Sequence, residues 1–153
     1  MRVTLSQISK ITMGQSPKSS CFNQTNIGLP FLQGRTTFGR IYPYYDTWTS
    51  NSNKEALPYD ILFTVRAPVG DVNICQEKTA IGRGIASIRA TNCHYKYLFY
   101  LLQANNKLFT SNSTGTIFES INKAALENVY INIHSQTQQC HIVDTISFAL
   151  ISL

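Results

Sequence analysis

Charge is scarce in this sequence: Asp, Glu, Lys and Arg together make up 14% of its 153 residues, against roughly a quarter in an ordinary soluble domain. Ser, Thr, Asn and Gln must therefore supply much of the surface. No run of five or six basic residues occurs, which excludes a disordered basic arm, and no apolar run reaches the length of a membrane span. The opening Met1-Arg2-Val3-Thr4-Leu5-Ser6-Gln7 lacks the apolar core of a signal peptide. The four cysteines, Cys21, Cys75, Cys93 and Cys140, contain no C-x-x-C pair. The expectation is a soluble, cytoplasmic, reduced protein with free thiols in or near its core and no membrane partner.

Catalytic signatures are also missing. Pro17, Pro30, Pro43, Pro58 and Pro68 are never adjacent, so the paired-proline loop with which adenine methyltransferases hold a flipped base is absent. No G-x-x-x-x-G-K-[ST] phosphate loop occurs. Asp60, Asp71, Glu77 and Lys78 have the composition of a metal nuclease cluster, but they read better as a strand start, a turn and a hairpin tip. Cys93-His94 and Cys140-His141 are adjacent pairs, whereas zinc ligands stand about two to four residues apart. Nothing brings a Cys nucleophile and a His base together. The sequence thus predicts no catalytic residue, no metal and no cofactor held by this chain.

What is present is an ordinary amount of apolar material with a positive balance. Hydrophobic residues are 43%, and the formal net charge is +5, which favours a polyanionic partner. The length suits one domain with a real core. Leu5, Ile8 and Ile11 recur near helical spacing and predict a short opening helix, broken at Met13-Gly14-Gln15-Ser16-Pro17. Lys18 to Gly28 reads as a loop and Leu29 to Gln33 as a strand closed by Gly34. Arg35 to Pro58 reads as a long irregular stretch, which inside a compact domain is functional or disordered. Ile61 to Val65, Asp71 to Cys75 and Ile85 to Arg89 read as short strands with Gly corners, the second alternating as a half-buried strand does and the third alternating again. Tyr95 to Phe109 predicts one helix, Asn122 an N-cap for a short helix through Leu126, and Val129 to Ile133 a last strand. Ile142, Ile146, Ala149 and Leu153, at spacings of four, three and four, outline a coiled-coil-like seam about two heptads long. The expected class is α+β: a curved, mostly antiparallel sheet with short helices over residues 1–134, then the start of an association helix over residues 135–153.

The order of several short segments carries a resemblance. Gly14 to Pro17 and Leu29-Pro30-Phe31-Leu32-Gln33-Gly34 resemble a "G-pF-qG" signature. Asp60 to Gly70 resembles "gDil-s-rg-vG", and Ala80 to Ala86 follows it. Gly115 to Ile121 resembles "Gst--sI", and Val129 to Ile133 with Gln139 to Val143 resembles "i-iP--eQ--I", with His134 where the pattern has Pro. In this order, across nearly the whole chain, they resemble the target-recognition domain of Type I restriction-modification specificity subunits. Members of that family carry two such units, each followed by a long helix; this chain matches one unit and the start of its helix. The resemblance implies a non-catalytic component that reads half of a split site in double-stranded DNA. It also implies a methyltransferase subunit that binds S-adenosylmethionine and methylates adenine, and a restriction subunit that cleaves.

Within that frame the basic and hydroxyl residues are the candidates. Arg35, Thr36 and Arg40 lie in the long polar stretch with Thr37, Tyr42, Tyr44 and Tyr45. Arg can grip guanine bidentately and Thr can touch a thymine methyl. Lys54 suits a phosphate. Arg83, flanked by Gly82 and Gly84, can come close to a partner. Arg66 reads as a structural or phosphate residue, while Lys78 and Lys123 could contact DNA or be solvated charges. Ile142, Ile146 and Leu153 are expected to join a homodimer or a second recognition half. A truncated orphan that captures a methyltransferase without forming an active complex is the alternative. A stand-alone RNA- or protein-binding module is disfavoured, because nothing resembles an RNA-stacking motif.

Overall fold

The computed structural model describes residues 1–151. Three sheets and five α-helices surround two apolar clusters among them. The central sheet contains β2 (Ser9–Met13), β7 (Ile61–Thr64), β8 (Val72–Ile74) and β10 (Ile85–Ala90), in the antiparallel order β2-β10-β7-β8. A second sheet has β3 (Phe22–Asn23), β5 (Trp48–Thr49), β4 (Leu29–Leu32), β9 (Thr79–Ile81) and β6 (Glu55–Ala56), in that order. Its β4–β9 pairing is parallel and the other pairings are antiparallel. A small pair joins β1 (Arg2–Thr4) to β11 (Tyr130–Asn132), bringing the start of the chain beside its last strand.

The two-residue period of β7 explains why it is buried throughout. Ile61 and Phe63 face the larger cluster, and Leu62 faces the smaller one with Leu32, Ile81 and Ile85. A strand covered on both faces reads as a continuous apolar run. β8 is likewise buried at all three positions rather than half-buried. Its polar residue, Asn73, is accommodated because its carboxamide accepts from Gly39 N–H at 3.0 Å and donates to Gly39 C=O at 2.9 Å.

Two predicted helices differ from expectation. The opening helix is only α1 (Leu5–Ile8), and Ile11 sits on β2 opposite Ile88. Ser9 leaves the helix with φ −154°, and its hydroxyl donates to Leu5 C=O at 2.7 Å. The long helix divides into α2 (Tyr95–Ala104) and α3 (Lys107–Thr110). Asn105 and Asn106 lie at the break: the Asn105 amide donates to Leu101 C=O at 2.8 Å and the Asn106 amide to Gly70 C=O at 2.7 Å. Asn side chains that bond backbone carbonyls offer an alternative to a continuing helix. The break seats Phe109 against Phe63, with ring centroids 5.3 Å apart.

Asn122 caps α4 (Lys123–Glu127) by accepting from Ala125 N–H at 2.8 Å, as its sequence position predicts. The final helix α5 (Gln136–Ile151) turns Gln139 and Val143 inward. His134, where the family pattern has Pro, uses its N–H to donate to Tyr97 Oη at 3.0 Å, a bond that proline could not make. Ile142 is partly buried against the larger cluster, Ile146 is half-buried, and Leu153 lies outside the described residues. Of the cysteines expected in or near the core, Cys75 is buried, Cys21 and Cys93 are intermediate, and Cys140 is exposed. Burial pushes the Cys75 thiol up to about 11. No helix among the described residues is long and apolar enough to cross a membrane.

Candidate nucleic-acid interface

The signature segments, distant in sequence, meet around one cleft. It has a volume of about 210 Å³ and is lined by Ser16, Gln33, Gly34, Arg35, Thr64, Arg66, Ala67, Pro68, Arg83 and Gly84. The β9–β10 corner forms one wall. Ser16 Oγ accepts from Arg83 N–H at 3.1 Å. A methyl group on Gly84 would lie 2.0 Å from Gln33 O, so only glycine lets the two backbones touch there. The opposite wall is fixed by Ala67 N–H, which donates to Glu119 C=O at 2.8 Å, and by a bridge between Arg66 and Ser120.

Arg35, Arg66 and Arg83 therefore share this cleft, and all three are exposed. Arg35 opens a 3-10 turn (Arg35–Thr37) immediately after the Gln33-Gly34 wall. It also lines a neighbouring cleft of about 420 Å³ with Arg40, Asp71, Asn73, Gln103 and Asn106. Thr36 lines a third recess of about 240 Å³ with Gln33 and Gly34. Lys54 is exposed and lies close by: Asn53 donates to Ser16 C=O at 3.2 Å, and Lys54 C=O accepts from Ile81 N–H at 3.0 Å. Arg35 thus belongs to two clefts, one shared with Arg66 and Arg83 and the other with Arg40, and the neutral groups of Gln33, Thr36, Asn73 and Gln103 line these clefts and the adjoining recess.

Two further candidate cations, Lys78 and Lys123, do not line these clefts. Lys78 is engaged by Glu55, with Nζ 3.2 Å from Oε2. The Glu55 carboxyl is held below its usual range, first by the Ser52 hydroxyl and then by Lys78. Lys123 begins α4, which packs on α1 and β2 rather than beside the Arg35 turn. The carboxylates considered for a nuclease are separated. Asp60 is 1% exposed and accepts from Arg89 Nε at 2.8 Å and Arg89 Nη2 at 3.1 Å. Asp71 belongs to the 420 Å³ cleft, where its Oδ2 lies 3.1 Å from Arg35 Nε. Cys93, His94 and Cys140 line a cleft at the root of α5, but among the described residues no three or more His, Cys, Asp or Glu side chains are placed to hold a metal ion.

Sequence reasoning overlooked three contributors here: Ser16 as the anchor of the Arg83 backbone, Asp71 as the partner of Arg35, and Gln103 and Asn106 at the α2–α3 break. Ser16 and Asp71 were visible only as a motif member and a turn carboxylate, because the partners that give them roles lie far along the chain.

The structure is an α+β domain with a basic cleft where these segments meet, and the chain belongs to the family of Type I restriction modification DNA specificity domains, whose family model matches residues 1–148. It is 41% identical over 132 residues to the type I restriction enzyme MjaX specificity subunit of Methanocaldococcus jannaschii, an alignment covering 85% of this chain and 31% of that protein. Among solved structures it resembles the HsdS subunit of Thermoanaerobacter tengcongensis, with TM-score 0.84, 35% identity, and coverage of 99% of this chain and 37% of that one. A chain from a structure describing assembly and conformational transition of the type I R-M system gives TM-score 0.87 and 36% identity, over 99% of this chain and 38% of that one. The S subunit of M. genitalium shares the fold at TM-score 0.74 with 15% identity. The chain thus spans about a third of the length of these relatives.

Proposed function

We propose that this chain binds duplex DNA sequence-specifically as one recognition half of a Type I restriction-modification complex, and performs no chemistry itself. The observation that carries the reading is the convergence of Arg35, Arg66 and Arg83 on one cleft, with Arg40 and Lys54 beside it. Phosphate contacts from Lys54, Arg66 and Arg83 set the register, while Arg35, Thr36 and Arg40 reach base edges. Lys78 and Lys123 lie at the periphery. In this reading S-adenosylmethionine is held by a methyltransferase subunit, and cleavage belongs to a restriction subunit. Residues 1–134 form the recognition unit, and residues 135–153 begin the helix that joins a second copy or a second half through Ile142, Ile146 and Leu153. The setting is cytoplasmic.

The test is selection of bound sequences from a randomised duplex pool by the assembled complex, followed by affinity measurements on single-base variants. Arg35→Ala or Arg40→Ala lowers discrimination at one base pair by about 1–3 kcal/mol. Lys54→Ala weakens binding to all sequences alike and reduces the slope of log affinity against log salt by about one unit, because one fewer counterion is released. Unchanged sequence preference in both Arg variants refutes this placement of the base-reading surface.

A further inference from the structure

We infer that Asp71 is a positioning residue that aims the Arg35 guanidinium, and so determines which base pair that arginine discriminates. This rests on the base-reading role proposed above for Arg35. The geometry points to it in three ways.

First, Asp71 stands on a braced turn. Its N–H donates to Thr64 Oγ1 at 2.9 Å, and its C=O accepts from Thr64 N–H at 3.0 Å. Thr64 is buried, and its hydroxyl donates onward to Pro68 C=O at 2.8 Å. The preceding Gly70, at φ +100°, donates its N–H to Thr64 C=O at 2.9 Å and accepts from the Asn106 amide at 2.7 Å. The backbone beneath the carboxylate is therefore fixed from both the central sheet and the α2–α3 break.

Second, the carboxylate touches Arg35 on one edge. Asp71 Oδ2 lies 3.1 Å from Arg35 Nε, in a pair exposed to 40% and 58% respectively. Arg89 shows the contrasting arrangement, in which Nε and Nη2 together grip Asp60. At Arg35 the nearest contact is through Nε and no terminal nitrogen hydrogen-bonds Asp71, so the Nη edge remains the fork that can approach a guanine O6/N7 pair.

Third, stability does not explain the pair. An ion pair this exposed contributes little to folding. A carboxylate beside a DNA-facing cleft also repels phosphate and weakens binding to every sequence. What it supplies in return is orientation, since a long exposed Arg side chain otherwise samples many rotamers that must be ordered on binding.

The experiment compares the full chain, in the assembly that binds DNA, with its Arg35→Ala, Asp71→Asn and Asp71→Glu variants. Each is measured on the selected duplex, on all single-base variants of it and on an unrelated duplex, and its thermal midpoint is recorded. Arg35→Ala loses about 5- to 150-fold discrimination at one base pair. Asp71→Asn loses several-fold at that same base pair and binds the unrelated duplex more tightly with a steeper salt dependence, at an unchanged thermal midpoint. Asp71→Glu recovers part of the discrimination.

Three results overturn the inference while leaving Arg35 as a base reader. Asp71→Asn could retain full discrimination where Arg35→Ala loses it. It could lose discrimination at a different base pair, which would make Asp71 a reader in its own right. It could weaken binding to all sequences alike with a lower thermal midpoint, which marks a structural role. Unchanged discrimination in Arg35→Ala instead overturns the base-reading role of Arg35, and this inference with it.

Discussion

Substituting alanine at three glycines around the cleft should give a steep gradient of effects. At Gly84 the added methyl would lie 2.0 Å from Gln33 O and 3.2 Å from Gln33 C, whereas ordinary contact begins near 3.4 Å. Neither side can retreat easily: Gly84 C=O accepts from Val65 N–H at 3.0 Å, and Leu32 C=O accepts from Gly82 N–H at 2.8 Å. Opening that contact by more than an ångström strains or breaks bonds of both sheets, at a cost of about 2–4 kcal/mol, the upper part of the range for overpacking. At Gly82 the methyl would meet Gln33 Cγ and Ser16 Oγ at 2.9 Å and the buried Phe31 ring at 3.2 Å, side-chain rather than backbone atoms, and the cost falls to about 1–2 kcal/mol. At Gly34 it would meet nothing within 4 Å, and the backbone is extended at φ −166°. Gly34→Ala is therefore neutral, or stabilising by up to about 1 kcal/mol through the unfolded chain. Urea unfolding followed by the fluorescence of the single Trp48, on β5 beside β4, measures all three. Because the Gly84 clash displaces the backbone leading into Arg35, that variant should also lose DNA affinity in conditions where it remains folded. A Gly84→Ala protein that unfolds at the wild-type midpoint, or a Gly34→Ala protein that unfolds as early as it does, refutes the steric reasoning.

Two further outcomes are expected. Asp60 is 1% exposed and accepts from Leu57 N–H, the Ser87 hydroxyl and both Arg89 nitrogens. Asp60→Asn should cost about 3 kcal/mol, and Arg89→Met about 3–5 kcal/mol because it leaves the buried carboxylate without its cation; chemical denaturation that ranks them in the opposite order contradicts the assignment of Asp60 as the buried anchor. Ile146→Asp on α5 should weaken association with a second half without shifting the unfolding of the β-domain, as read by sedimentation beside a melting curve; an unaltered association state removes Ile146 from the interface.

The parts of the fold legible in the sequence were those governed by local pattern. β7 could be read because apolar residues fill both of its faces, β10 because its residues alternate between apolar and polar, and α4 because Asn122 marks its start. The misreadings have non-local causes. Leu5, Ile8 and Ile11 fit a helical period, but pairing of Ile11 with Ile88 across β2 and β10 prevails over that spacing. Asn73 reads as the exposed position of a half-buried strand, yet it is buried because Gly39, 34 residues away, completes its hydrogen bonds. Tyr59 occupies the position where the resembling signature has Gly and holds φ +75° there, with its ring 4.9 Å from that of Tyr95; a contact 36 residues along the chain accompanies a backbone conformation that bulky residues seldom adopt. For the site, residue type alone marked the cations. It could not separate Arg35, which shares a cleft with Arg66 and Arg83, from Lys78, which lines none of the clefts around the Arg35 turn.

The division between signature and non-signature residues around the cleft bears on how one scaffold can serve recognition. Ser16, Gln33, Gly34, Thr64, Arg66, Arg83 and Gly84 belong to the segments that carry the family resemblance, and they meet through backbone contacts that tolerate little change, as the Gly84–Gln33 approach illustrates. Arg35, Thr36 and Arg40 lie just outside those segments, on a turn and loop braced by Asn73 and Asp71 but open to solvent. A floor held by close backbone contacts that presents two exposed arginines suits the sequence-independent work of holding phosphates, which any target requires. An exposed loop fixed at its base suits the sequence-dependent work, because its side chains can be exchanged without repacking the sheets beneath. On the proposed reading, specificity resides in the side chains of residues 35–40 and in the groups that orient them, while the signature builds the surface from which they reach the DNA.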